Sequence, residues 1–133
     1  MSQTHKPLPE GVHTVVLGMG DLNGLLRGKR IPAENWANIC ESGIAMSNAT
    51  FAIDMTCDVW DTPYTNFETG YPDMHVMPIG EVHPIPWEDG VVYSFAHAIG
   101  ADHQPIPLDP RAALVRVLQK AATMGYEVRI GTE

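Results

Sequence analysis

Positive charge is scarce in this chain: eight Lys and Arg stand against sixteen Asp and Glu, leaving a formal charge of -8. That balance argues against a surface that binds nucleic acid by neutralising phosphates, and leaves room for an acidic site that meets a cationic substrate. Cysteine is scarcer still. Cys40 and Cys57 form neither a CxxC pair nor a secreted disulfide framework, so both are expected as free thiols of a cytoplasmic protein. No stretch is long and apolar enough to cross a bilayer, and no basic-then-apolar leader opens the sequence. The expectation is a soluble, cytoplasmic protein with neither membrane nor nucleic-acid partners.

Self-sufficient catalytic signatures are missing too. Gly18, Gly20 and Gly24 approach a dinucleotide-binding GxGxxG, but the third glycine falls one residue late, at a position where Asn23 stands, and no helical pattern follows. There is no GxxxxGK[ST] phosphate loop, no GxSxG elbow, no identifiable Cys–His pair, and no HExxH spacing among the six histidines. His97 shares a strand face with Tyr93 and Phe95 and reads as a core or interface residue rather than a metal ligand. By elimination, the isolated chain is expected to be inactive and to hold no cofactor by itself.

What is present suits one domain: 133 residues, 44% of them hydrophobic, can bury a single core. Residues 1–11 are polar, proline-bearing and aperiodic, as a flexible terminus would be, and the domain is expected over 12–133. His13 to Leu17 and Leu25 to Lys29 flank the turn residues Asp21-Leu22-Asn23-Gly24, a hairpin pattern. Pro32 suits a helix's first turn, Trp36, Ile39 and Cys40 share a helical face, and Gly43 offers a left-handed C-cap. Strand patterns follow at 44–53, 74–77, 80–85 and 91–99, with a Thr-, Asp- and Pro-rich connection over 54–72 whose aromatics suggest partial order. Asp109 caps a helix opened by Pro110, with Leu114, Val117, Leu118 and Ala121 as its apolar stripe and Gly125 at its end; one more strand is expected over 126–130. The order predicts an α+β, β-grasp-like domain, a mostly antiparallel sheet with one main helix packed on one face.

Four passages in order resemble the N-terminal domain of the glutamine synthetase family. Asp21 to Lys29 (DLNGLLRGK) is similar to its D-x-x-G-x-x-R-G-K hairpin, and Tyr71 to Pro78 followed by Pro86-Trp87 to its D…P…PW passage. Asp109-Pro110-Arg111 resembles the D-P-R helix, and Gly131-Thr132-Glu133 the start of the G-x-E-x-E-F strand. The resemblance implies an ATP-dependent carboxylate-amine ligase whose C-terminal catalytic domain lies outside this sequence. It implies an active site shared with that domain and with the neighbouring subunit of a homo-oligomeric ring, using glutamate, an amine, ATP and Mg2+ or Mn2+. Glu133 then aligns with the first metal-binding Glu of the E-x-E strand. Where ammonia-using members carry F-D-G-S-S, this chain has Phe51-Ala52-Ile53-Asp54-Met55-Thr56-Cys57-Asp58. That departure resembles the γ-glutamylpolyamine and γ-glutamylamide branch, and it makes Asp54 and Asp58 the candidate catalytic carboxylates and Trp60 the candidate substrate-binding residue of an amine-site loop. Arg27 and Lys29 read as solvated charges, or as partners for acidic groups on an adjacent subunit; Arg111 reads as a surface residue. The rival reading is a free-standing β-grasp interaction module that binds a partner by strand addition.

Overall fold

Thr14–Gly20 (β1) and Leu26–Pro32 (β2) pair antiparallel as the expected hairpin in a computed structural model that describes residues 7–131. Residues 1–6 and 132–133, and with them the candidate Glu133, lie outside the described residues. After the hairpin come a helix, Trp36–Ser42 (α1), and three strands, Ile44–Ser47 (β3), Asp73–Pro84 (β4) and Val91–Ile99 (β5). A last helix, Pro110–Thr123 (α2), follows. The five strands form one sheet in the order β2-β1-β5-β4-β3, antiparallel except where β1 meets β5. The fold is the expected α+β one, consistent with a β-grasp.

Alternation along the strands sorts the two faces. Val15, Leu17 and Met19 of β1, Met74 and Val76 of β4, and Val92, Ala96 and Ala98 of β5 are buried together. Trp36 and Cys40 of α1 close this core with Phe51. The opposite face carries Val16, Tyr93, Phe95 and His83, with Tyr93 and Phe95 edge to face at 4.7 Å. The Tyr93 hydroxyl donates to the Gly18 carbonyl at 3.2 Å, and burial pushes its pKa up to about 12. Gly28 lies opposite Gly18, and a Cβ on it would overlap the Leu17 carbonyl, so the two backbones of the hairpin can approach this closely only with glycine there.

Several sequence expectations are corrected. The strand expected over 44–53 ends at Ser47; Asn48–Ala52 is a 3-10 turn whose start is capped by the Ser47 hydroxyl accepting from the Ala49 amide at 3.2 Å. Ser and Asn here supply local hydrogen bonds that compete with the ladder. The segments 74–77 and 80–85 are one strand, β4, in which Pro78 sits beside a register shift between Ile79 and Val82 and Gly80 takes φ 71°. A bulge tolerates the proline because the ladder is already interrupted there. Pro32 ends β2 instead of opening a helix, and Gly43 has the positive φ of a cap (69°) with extended ψ. Residues 126–130 form no strand: extended backbone becomes one only when a ladder partner is at hand, and none of the described strands pairs with it.

The helix over the core is the short α1. Of α2 only Ala112 is fully buried, while Leu114 and Val117 of its apolar stripe are exposed. Asp109 tethers α2 instead: one carboxylate oxygen accepts from the Arg111 amide at 2.8 Å as an N-cap, and the other accepts from the buried Ala98 amide of β5 at 3.0 Å. The sheet curls, so that Lys29 of edge strand β2 donates to the Ala45 carbonyl of the opposite edge, β3, at 2.9 Å.

Candidate functional site

Two turns of the same construction stand side by side at one end of the sheet. In the first, Asp21 N–H donates to the Leu25 carbonyl (2.8 Å) and Gly24 N–H to the Asp21 carbonyl (3.2 Å). Asp21 Oδ1 accepts from the amides of Asn23 and Leu25, each at 2.8 Å. Gly24 has φ 77°. In the second, Asp54 N–H donates to the Asp58 carbonyl (3.0 Å) and Cys57 N–H to the Asp54 carbonyl (3.2 Å). Asp54 Oδ1 accepts from the amides of Thr56 (2.8 Å) and Asp58 (3.0 Å), and Cys57 has φ 69°. Aspartate at the start and a left-handed residue three places on are what this chain-reversing geometry needs.

The likeness extends to the second carboxylate oxygen, which in each turn accepts from the side chain six residues on. Asp21 Oδ2 takes Arg27 Nε at 2.8 Å; Asp54 Oδ2 takes the Trp60 indole N–H at 3.0 Å. Burial of Asp21 works against its ionisation, but the bonds from Arg27, Leu25 and Asn23 outweigh it and hold the carboxyl below its ordinary range. The Trp60 indole, then the Thr56 hydroxyl and the amides of Asp58 and Thr56, hold the Asp54 carboxyl down at about 2 despite some desolvation. Both aspartates are therefore anions that organise backbone.

The turns are also joined to each other. Arg27 Nη2 donates to the Asp54 carbonyl at 3.1 Å, its Nη1 lies 3.8 Å from the Cys57 sulfur, and Asn23 Nδ2 donates to the Ile53 carbonyl at 3.0 Å. Arg27 is thus engaged by partners of its own chain, its side chain 20% exposed, in place of the freely solvated charge that was one of its two readings. An Ile53–Val59 bridge and a bond from Trp60 N–H to the Ala52 carbonyl (2.8 Å) anchor the second turn to the 3-10 turn beneath it.

The structure brings Asp54, Asp58 and Trp60 together on this turn and distinguishes them. Asp54 has both oxygens occupied by the turn. Asp58 is exposed, its Oδ2 3.0 Å from the Thr56 hydroxyl, whose single proton also faces Asp54 Oδ1 at 2.8 Å. The Trp60 ring is 64% exposed. The rest of the 54–72 connection is ordered mainly by its polar side chains: buried Thr65 bonds Asn48, the Thr62 hydroxyl accepts from the Thr65 amide, Asn66 bonds the backbone of Thr62 and Thr69, and the Tyr71 hydroxyl donates to Asp61, while Tyr64 and Phe67 are exposed. Among the described residues no group of three or more His, Cys, Asp or Glu is placed to hold a metal ion. His97 is partly buried beside Arg111, and burial lowers its pKa.

The partnership of Arg27 with the second turn was not foreseen. A signal was available: Asp21-x-Asn23-Gly24 and Asp54-x-Thr56-Cys57 share a turn-forming pattern, with a long donor six residues after each aspartate.

A small β-grasp domain carrying a rigid, acidic, aromatic-edged turn is the class that fold and site define. No family model matches the chain. Among curated proteins it is 31% identical to type-1 glutamine synthetase 2 of Dictyostelium discoideum over 90% of this chain and 23% of that protein. It is 29% identical to a glutamate–isopropylamine ligase of a Pseudomonas species (87% and 26%) and 31% identical to a γ-glutamylethanolamide synthetase of Streptomyces coelicolor (92% and 27%). The chain spans about a quarter of the length of these relatives. Of solved structures, GmaS in complex with ADP superposes with a TM-score of 0.65 at 28% identity, covering 86% of this chain and 24% of that one. A glutamine synthase homologue superposes at 0.70 with 19% identity, a likeness of fold, covering 91% and 29%. The homologues of this chain are members of the glutamine synthetase family, γ-glutamylamide synthetases among them.

Proposed function

We propose that this chain is the amine-side portion of an ATP-dependent ligase that joins glutamate to an amine as a γ-glutamyl amide, with an organic amine or polyamine favoured over ammonia. The observation that carries the reading is the second turn. Asp54 is consumed in holding the loop, which leaves the exposed Asp58 carboxylate and the exposed Trp60 ring two residues apart on a fixed frame. A carboxylate favours an ammonium group, and an indole face favours both a cation and the alkyl groups an organic amine carries. Ammonium itself has no alkyl group to use that face. The isopropylamine- and ethanolamide-forming relatives are in accord with this choice.

The described residues do not offer a metal site. ATP and Mg2+ or Mn2+ would be held by the C-terminal catalytic domain and the neighbouring subunit of a homo-oligomeric ring, with Glu133 contributing once its strand is complete. The isolated domain would be inactive, and the assembled enzyme cytoplasmic.

The test is amine-dependent phosphate release by the full-length protein across ammonium, isopropylamine, ethanolamine and a diamine. Organic amines are expected to outpace ammonium, and Asp58→Ala to raise the amine KM on the order of tenfold with the glutamate KM unchanged. An Asp58→Ala enzyme with unaltered amine dependence would remove Asp58 from the site.

A further inference from the structure

Among the described residues, the Arg27 side chain makes three contacts that span the two turns. Its guanidinium presents donors in a rigid plane, and three of its nitrogens face three different groups: Nε the Asp21 carboxylate, Nη2 the Asp54 carbonyl and Nη1 the Cys57 sulfur. The Asp54 carbonyl it meets also receives the Cys57 amide, so one arginine nitrogen bears on the bond that fixes the second turn's left-handed residue. Asp21 in turn is fixed by two amides of its own turn, so the arginine is held from behind as well as holding forward. Lysine could not reproduce this, since a single ammonium on a flexible stem can satisfy one partner but cannot span the two turns.

We propose that Arg27 is a positioning residue for the amine-side loop: clasped to the first turn, it sets where the second turn presents Asp58 and Trp60. The inference rests on the reading of that loop as the amine side of a ligase. Arg27 touches no reacting atom in this scheme. It acts by removing the freedom of a loop that would otherwise pay the cost of ordering each time an amine binds. Asn23, bonded to the Ile53 carbonyl just before the loop, makes a second and weaker tie in the same direction.

Two measurements separate the clasp from the chemistry. In the 133-residue chain, amide exchange by NMR in Arg27→Lys and Arg27→Gln is expected to quicken at Cys57 and Asp58 by about tenfold or more, while core amides such as those of Leu17 and Val76 change less than twofold. Unchanged exchange at Cys57 and Asp58 in both variants overturns the proposal. Should Arg27→Gln unfold, the Lys variant decides, since it keeps the charge beside Asp21; equal quickening of loop and core in Arg27→Lys also overturns the proposal, because Arg27 would then be a general stabiliser. In the full-length enzyme, Arg27→Lys is expected to raise the KM for the amine several-fold with little change in kcat or in the KM for glutamate. A quickened loop with an unmoved amine KM would leave the clasp standing and overturn the assignment of the loop to the amine.

Discussion

Asp109 offers a sharp test of how α2 is attached. Its side chain is 1% exposed and serves two amides with two oxygens, Arg111 in the helix's first turn and Ala98 in the central strand β5, itself fully buried. Asp109→Ala removes both. Loss of an N-cap costs about 1 kcal/mol, and a buried N–H left without an acceptor costs about 2 kcal/mol, for a total of about 3 kcal/mol. Against a typical folding stability of about 5–15 kcal/mol that is a large share. Asp109→Asn separates the terms, because asparagine caps as well as aspartate but has one carbonyl oxygen, so Ala98 would face an amide NH2. It should retain the cap and still lose about 2 kcal/mol. Urea unfolding reads the two costs as midpoint shifts at constant m, and hydrogen exchange at Ala98 reads the second locally. If Asp109→Asn matches the parent in both, or if Asp109→Ala leaves Ala98 as protected as before, the two-headed role is wrong.

Two other expectations concern titration and reactivity. The Asp54 carboxyl, held at about 2 against an ordinary 3.8, binds its proton less readily folded than unfolded, so its contribution to loop stability is fully present above about pH 4 and is lost as pH falls towards 2. The Trp60 indole N–H resonance should follow that titration with a midpoint near 2; a midpoint near 3.8, or the same curve in Asp54→Asn, would contradict it. Cys40 is buried, and desolvation first, with Glu41 adding, raises its thiol to about 11. A thiol reagent at pH 8 should therefore modify exposed Cys57 promptly and Cys40 only on unfolding; two fast thiols in the folded chain would contradict the burial of Cys40.

Much of the sheet was legible in the sequence because β-branched and apolar runs bounded by turn residues mark its strands: His13 to Leu17 announces β1, and Val91 to Ile99 announces β5, although the face read there from Tyr93, Phe95 and His97 lies opposite the core set of Val92, Ala96 and Ala98. The Asp21 to Gly24 turn was legible for the same local reason, a positive φ that glycine supplies. What misled was apolar character without knowledge of a partner. The stripe of α2 and the run 126–130 have the periodicity of buried elements, yet Leu114, Val117, Tyr126 and Ile130 are exposed here. Periodicity reports what a segment could bury and is silent on what lies opposite it. In the candidate site, Asp54, Asp58 and Trp60 were named as candidates through the resemblance, but their different places in the turn were not. Which aspartate organises and which one faces outward depends on the Trp60 and Thr56 donors, and on an arginine from a distant hairpin. Contacts between turns so far apart in the chain leave no mark in local spacing.

The bond from Lys29 to Ala45 has a consequence for handling the domain by itself. A curled ribbon whose margins are stitched together by a side chain offers a passing peptide no clean seam: to lie along β3, the newcomer would first have to unfasten a lysine from the carbonyl at its middle. Recruitment of a partner by an added strand is therefore obstructed at this margin, and so is the sideways stacking by which lone sheets grow into fibrils.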